Sequence, residues 1–189
     1  MNFVEPIRDK DIFHDIQAKL KTENMRNYVF IMTGTYTSLR VSDILKLKVK
    51  DVKDKKYIDI KEQKTGKRNI IEINPVLRQA YKEYCHNMHD EEYLFRKKDI
   101  NKPIGRTQAW KIMKQIQDRF KLDNLGTHTL RKTFATSILK NNAGIERVID
   151  ALGHQDPTTV NVYLTYDELH MRKCALSLDE MSIPMGGAA

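Results

Sequence analysis

The chain has 189 residues, which is enough for one domain with a substantial core. Its 33 lysines and arginines against 25 acidic residues give a formal net charge of +8, a balance that favours a polyanionic partner. Charged residues interrupt the amino terminus, and no apolar run approaches the ~18 residues of a membrane span, so we expect neither a signal peptide nor a transmembrane helix. Two cysteines, Cys85 and Cys174, lie far apart and outside any metal-binding spacing, so we expect a soluble protein of the reducing cytoplasm.

The first part of the chain is predicted to form three helices. Apolar residues recur at helical spacing over 12–20 and again over 28–32. Ser42 and Asp43 can cap a short third helix, so Arg40 is expected at or just before a helix amino terminus. That third helix would carry Ile44, Leu45 and Leu47.

A β-hairpin is predicted next. Two β-prone runs, YIDI and NIIEI, lie within residues 57–73, and polar residues with a glycine separate them. The intervening KTGK segment, from Lys64 to Lys67, would form the tip of this hairpin.

Helical signals dominate the residues after the hairpin. Asn74 and Pro75 supply a cap and a first-turn proline for a helix through about His86. The segment EYLF at 92–95 is a candidate short strand, and an amphipathic helix follows Thr107.

Three more helices are predicted in the last third of the chain. The first follows Gly126 in THTLRKTFATSILK, and Thr127 or Thr129 can cap it. The second ends at Gly153, and the Asp-Pro pair at 156–157 begins the third.

These elements predict one domain that is mainly α with a small antiparallel β-sheet, an α+β fold. No internal repeat or low-complexity linker divides the chain. We expect a single domain over residues 1–180, followed by a flexible tail at 181–189.

Several side chains could bind or cleave a phosphodiester, although each has a structural explanation when taken alone. His128 and Arg131 are three residues apart beside a helix amino terminus, a place that suits a phosphate, but the same spacing is common on solvated helices. Arg40 could form an ion pair with Asp43, and Lys64 could be an ordinary hairpin-tip lysine. His154 could simply occupy a turn, and Tyr163 could be a core aromatic residue.

Considered together, the candidates supply every role that metal-independent phosphodiester cleavage requires. Two arginines match phosphate oxygens with their planar N–H donors. A tyrosine can form a covalent phosphoester, and a lysine can protonate the leaving alkoxide. The set is Arg40, Lys64, His128, Arg131, His154 and Tyr163.

The order of these residues resembles that of the tyrosine recombinases of the phage-integrase and Xer type. TSLRVSDILKLKVKDV resembles the family's first-arginine box, with Arg40 followed three residues later by Asp43 as a supporting acid. EQKTGKRNIIEI is similar to the hairpin that carries the catalytic lysine, which falls on Lys64.

Two later boxes complete the resemblance, which covers residues 28–176. THTLRKTFAT matches the His-x-x-Arg box through His128 and Arg131. LGHQDPTTVNVY matches the final box, with His154 followed nine residues later by Tyr163. Tyr166 lies three residues further along, and the spacing in this box selects Tyr163 instead as the nucleophile.

The resemblance implies the tyrosine recombinase catalytic-domain fold, of the DNA breaking-rejoining type, and site-specific DNA recombination such as DNA integration by a mobile element. Tyr163 would attack a scissile phosphate to give a 3′-phosphotyrosyl link, and Lys64 would protonate the departing 5′-oxygen. A second 5′-hydroxyl would then attack the phosphotyrosine, so that no metal, ATP or cofactor is needed. The phosphate oxygens would be bound by Arg40, His128, Arg131 and His154.

The implied partner is double-stranded DNA, bound by four protomers during strand exchange, whereas the free protein could be a monomer. We expect weak binding that depends strongly on salt, because affinity would rest on contacts between basic side chains and phosphates. The candidates for these contacts are Lys61, Lys67, Arg68 and Lys132, with Lys111 and Lys114 as further basic residues.

Two departures from the family pattern bear on these expectations. Ser38 stands where the family usually has glycine before its Leu-Arg, so the turn that aims Arg40 could differ. The residues before about Asn24 cannot hold the family's separate core-binding domain. We therefore expect a naturally minimal recombinase, a solo catalytic domain or a shortened piece of one.

Alternative functions remain open on the sequence. A catalytically silent DNA-binding regulator could keep the same fold, and a type IB topoisomerase-like enzyme uses a similar set of residues to nick and reseal DNA. A helix-turn-helix regulator would instead read DNA with the helices near 129–152. Integration, excision, inversion and dimer resolution are not distinguished.

Overall fold

The computed structural model describes residues 4–140, with side chains through Ile138. The helices are α1 (Lys10–Glu23), α2 (Met25–Thr37), α3 (Val41–Ile44), α4 (Pro75–Tyr84), α5 (Arg106–Phe120) and α6 (Thr129–Lys140). Two strands, β1 (Tyr57–Lys61) and β2 (Arg68–Glu72), form the sheet, and a short 3₁₀ helix covers Val49–Asp51. The predicted mainly α fold with a small antiparallel sheet is confirmed for this part of the chain.

Local sequence signals explain where three helices begin. Asp9 caps α1, because its carboxylate accepts hydrogen bonds from the backbone N–H groups of residues 11 and 12. Asn24 caps α2 through the N–H of Asn27. As predicted, Asn74 caps α4 and Pro75 occupies the first turn, although this helix ends at Tyr84.

The short helix α3 differs from its prediction. It begins at Val41 with Arg40 as the N-cap residue, and no side chain caps its amino terminus. Ser42 and Asp43 lie inside the helix, so their predicted capping role is wrong. Arg40 nevertheless lies at the helix amino terminus, as expected.

Helix α2 is the central element of the described core, because α1, α4 and α6 all pack against it. Its residues from Asn27 to Thr35 are buried on every side, which explains why a simple amphipathic stripe does not describe it. Gly34 lets α6 approach closely, since a Cβ atom at this position would lie 2.5 Å from Leu130 Cδ1. Leu130 of α6 therefore packs directly against the backbone of α2 at Gly34.

The hairpin pairs β1 with β2 in an antiparallel register that runs from Tyr57 opposite Glu72 to Lys61 opposite Arg68. Ile58 is fully buried, whereas Ile70 on β2 is exposed. The candidate strand at 92–95 is wrong: this segment forms only an isolated bridge between Lys48 and Tyr93. Its apolar residues are instead buried in the core, where Leu94 donates its N–H to the carbonyl of Leu47.

Between residues 4 and 140, no helix has both the length and the apolar composition that crossing a membrane requires.

Candidate active site

Arg40 is held in a partly buried position at the amino terminus of α3. Its backbone is extended, with φ of −68° and ψ of 145°, and its side chain is 14% exposed. Nη1 donates to Oε2 of Glu62 over 2.5 Å. Arg40 is therefore paired with Glu62. The alternative prediction, an ion pair between Arg40 and Asp43, is wrong.

Glu62 is the acidic residue that the sequence prediction missed. It lies directly after β1, is 6% exposed, and also accepts hydrogen bonds from Thr65 Oγ1 at 2.8 Å and Asn69 Nδ2 at 3.1 Å. Burial acts to raise the pKa of Glu62, but hydrogen bonds from Thr65 and Arg40, the Arg40 charge and Asn69 together lower this pKa below its ordinary value. The carboxylate is consequently ionised at neutral pH. Its position at a strand end beside the lysine-bearing turn was the only signal in the sequence.

Asp43 has a structural role in this part of the chain. It is buried, and its Oδ1 accepts a hydrogen bond from the backbone N–H of Gln63 at 2.9 Å. The Gln63 side chain in turn donates to the carbonyl of Ser42 at 2.7 Å. These contacts attach the hairpin tip to α3.

Lys64 lies at the hairpin tip, as predicted. Residues 63–65 form the turn, and the Lys64 side chain is exposed. Gly66 adopts a left-handed φ of 68°, a conformation that glycine tolerates without strain, and its N–H donates to the Glu62 carbonyl. The exposed Lys64 side chain thus lies on a turn whose backbone is held by hydrogen bonds from the N–H groups of Gln63 and Gly66.

Arg131 is buried on α6 and contacts the end of α2. Its Nη1 donates to the carbonyl of Ser38 over 2.5 Å. Ser38 adopts a left-handed conformation, with φ of 54° and ψ of 10°, directly after α2. This serine takes a backbone conformation that favours glycine, and Arg40 follows two residues later.

His128 lies in the turn before α6, one residue ahead of the first helical residue, Thr129, and its side chain is exposed. Removal of part of its hydration lowers the pKa of His128, and the positive charges of four neighbours lower this pKa further. In order of decreasing effect, these neighbours are Arg131, Arg40, Lys132 and Lys64. Side chains from the first box, the hairpin and α6 therefore act electrostatically on one imidazole.

The other predicted DNA contacts fall into three kinds. Lys61 and Lys67 are exposed beside the hairpin tip. Arg68 is exposed but already paired, since its guanidinium donates two hydrogen bonds to Asp59 across the hairpin. Lys132 is half-buried, and burial lowers its pKa.

His154, Tyr163 and Tyr166 lie outside the described residues.

The profile of the phage integrase family matches residues 8–170. The chain is 36% identical over 168 residues to a probable integrase/recombinase, YoeC, of Bacillus subtilis, covering 89% of this chain and 93% of that protein. It is 29% identical over 159 residues to the tyrosine recombinase XerD of Halalkalibacterium halodurans, covering 79% of this chain but 52% of that one. The chain thus spans nearly all of the first relative and about half of the second.

Solved structures share the fold. The crystal structure of XerA recombinase superimposes with a TM-score of 0.72 at 21% identity, covering 90% of this chain and 66% of XerA. A post-cleavage complex of XerH site-specific recombinase with a palindromic difH substrate gives a TM-score of 0.69 at 20% identity, covering 92% of this chain and 53% of XerH. The chain belongs to the phage integrase family, which confirms the resemblance predicted from the sequence, and it has the fold of a tyrosine recombinase catalytic domain.

Proposed function

We propose that this protein is a site-specific recombinase that cleaves and rejoins DNA through a 3′-phosphotyrosyl intermediate. The observation that carries the proposal is that hydrogen bonds bring the segments of Arg40, Lys64 and Arg131 together in a chain of this family: Glu62 joins Arg40 to the Lys64 turn, and Arg131 contacts the Ser38 carbonyl. The positive charges of these three residues all act on His128, and an anionic ligand beside it would be stabilised by the same charges. A phosphate diester is such a ligand.

The described residues have distinct roles in this reaction. Arg40 and Arg131 bind the non-bridging oxygens, because planar guanidinium groups match phosphate geometry and remain charged at every accessible pH. His128 adds a hydrogen bond to the same phosphate. Lys64 protonates the 5′-oxygen as the bond from phosphorus to that oxygen breaks.

The final box supplies the remaining two roles. Tyr163 is the nucleophile, and its hydroxyl oxygen forms the new bond to phosphorus. His154 donates a further hydrogen bond to the phosphate. Support for both assignments comes from the spacing of LGH and tyrosine in the sequence.

The partner of the protein is double-stranded DNA. XerH is a solved relative bound to a DNA substrate, and a lambda integrase dimer bound to a core site is another. We propose that residues 1–180 form a single catalytic domain that acts in the cytoplasm, and that four copies assemble on two duplexes during strand exchange. The excess of positive charge supports the DNA-binding part of this proposal.

Covalent trapping tests the proposal. The protein is incubated with a pool of duplexes of random sequence, each carrying a nick that lets the short 5′-hydroxyl strand diffuse away after cleavage. We expect a protein–DNA adduct that survives denaturation, and sequencing of the adducts should reveal a shared site.

Two tyrosine variants sharpen this test. Tyr163→Phe should abolish the adduct, and Tyr166→Phe, the matched control, should retain it. Binding without an adduct would instead favour a silent regulator, and relaxation of supercoiled plasmids without sequence preference would favour a topoisomerase-like enzyme.

A further inference from the structure

We propose that Glu62 is a positioning residue that aligns Arg40 with the Lys64 turn, so that both cations can contact the same phosphodiester. This inference rests on the proposed function. It assigns Glu62 no contact with DNA and no proton transfer, since the residue acts through its neighbours.

The contacts of the Glu62 carboxylate connect three places in the site. Oε2 accepts from Arg40 Nη1 at 2.5 Å and from Thr65 Oγ1 at 2.8 Å. Oε1 accepts from Asn69 Nδ2 at 3.1 Å, on the opposite strand of the hairpin. Because Thr65 directly follows Lys64, one carboxylate is bonded both to the first arginine and to the turn that carries the lysine.

The burial of this ion pair distinguishes it from a surface salt bridge. The side chains of Arg40 and Glu62 are 14% and 7% exposed, so solvent and salt screen their attraction weakly. A carboxylate removed from water requires several donors, and Glu62 has three. Such a network holds its members in one geometry.

The geometry leaves Arg40 able to bind phosphate. An arginine side chain has five N–H donors, and the contact with Glu62 uses Nη1. Immobilising the guanidinium before DNA binds removes part of the entropy cost of ordering it afterwards. Glu62 therefore favours catalysis by pre-organisation, although its negative charge weakens attraction for DNA.

A second set of contacts keeps the turn attached without Glu62. The N–H of Gln63 donates to Asp43, and the Gln63 amide donates to the carbonyl of Ser42. The Glu62→Ala variant should therefore retain the fold and the approximate place of the hairpin, while Arg40 and Thr65 lose their common acceptor. This separation makes the proposal testable.

The experiment measures adduct formation by Glu62→Ala and Glu62→Gln on the duplex captured by trapping, at saturating DNA. We expect Glu62→Ala to slow adduct formation by about 10- to 100-fold, as for a misplaced catalytic group, with DNA affinity no weaker than that of the wild type. Glu62→Gln keeps the shape of the side chain but loses its charge, so its rate of adduct formation should lie between those of the wild type and Glu62→Ala. Glu72→Ala is the control, because this exposed carboxylate lies at the far end of the hairpin.

A second substrate distinguishes positioning from a general loss of structure. A duplex with sulfur in place of the bridging 5′-oxygen releases a thiolate, which leaves without the proton that Lys64 supplies. The defect of Glu62→Ala should shrink on this substrate, as that of Lys64→Ala should, whereas the defect of Arg40→Ala should persist. A smaller defect on the sulfur substrate is not expected from a merely destabilised fold.

The outcomes are separable. If the wild type forms no adduct, the proposed function fails. If the wild type reacts and both Glu62 variants match its rate, the positioning role is overturned. If Glu62→Ala is slowed by the same factor on both substrates, Glu62 does not place the lysine, and the proposed alignment of the two cations is overturned. Thermal unfolding of each variant checks the fold, and Glu62→Gln decides the question if Glu62→Ala does not fold.

Discussion

Arg131 and Ser38 are joined by a hydrogen bond from the arginine Nη1 to the serine carbonyl, across 93 positions of sequence. The bond connects α6 to the end of α2, at a residue with a left-handed backbone. Arg40 follows Ser38 by two positions. The conformation of this one serine therefore bears on the placement of both proposed phosphate-binding arginines.

Substitutions at Ser38 should reveal this backbone strain. A left-handed conformation costs a residue with a Cβ atom roughly 1–2 kcal/mol, so Ser38→Gly should be at least as stable as the wild type once the greater chain entropy of glycine is counted. Ser38→Val should lose at least ~1 kcal/mol, because a β-branched residue tolerates this conformation least. Chemical denaturation measures both changes. Ser42→Val, in ordinary helical backbone, is the control, and equal stability of the two valine variants would refute the strain.

Gly34→Ala should destabilise the protein. The added methyl group would lie 2.5 Å from Leu130 Cδ1 and 2.9 Å from its Cβ, so α6 must shift, at a cost of about 1–3 kcal/mol. Since α6 carries Arg131, adduct formation should slow as well. Gly105→Ala provides the comparison, because a Cβ there meets no atom within 4 Å. Similar unfolding midpoints for the two variants would contradict the close packing of α2 and α6.

His128 should titrate below its ordinary pKa of 6.5 in the free protein. Because folding lowers this pKa, the unfolded chain binds the proton more tightly, and stability falls as pH drops below 6.5 through the folded pKa. Arg40→Met and Lys64→Met should each move the pKa upward, since each removes a positive charge. The imidazole proton resonances in an NMR titration report the shift. Lys55→Met is the control, and equal shifts in all three variants would argue against a local cluster.

DNA affinity should fall steeply as salt rises. Each phosphate contact released contributes a slope of about one in a plot of log affinity against log salt, so Lys67→Ala should reduce the slope by ~1 if this lysine meets the backbone. Lys55→Ala, at the other end of the hairpin, should leave it unchanged. Fluorescence anisotropy with a labelled duplex over a salt series provides the measurement. An affinity independent of salt would exclude binding through phosphates.

The sequence predicted those features that depend on neighbouring residues. Asn74 and Pro75 define the start of α4 by local hydrogen bonding and a fixed φ, and the β-prone runs around KTGK define the hairpin. Arg40 also lies at a helix amino terminus as predicted, although no side chain caps that helix. Such signals act within a few residues, so a single sequence reveals them.

Contacts between distant segments were missed or misjudged. Glu62 pairs with Arg40 from 22 positions away, and Asp43, which resembles a local helix cap, accepts its hydrogen bond from Gln63 instead. The segment at 92–95 has the composition of a strand, but it forms only one isolated bridge, between Lys48 and Tyr93. Its Leu94 and Phe95 are instead buried in the core. Tertiary packing decides these cases, and local propensity does not encode it.

The lowered pKa of His128 has a thermodynamic consequence for the whole molecule. The positive charges of Arg131, Arg40, Lys132 and Lys64 disfavour a proton on the imidazole, and the same charges favour an anion beside it. An anion that binds the folded chain there, and not the unfolded chain, adds to conformational stability. The melting temperature should therefore rise when DNA is added, so thermal stability reports occupancy of the proposed phosphate site.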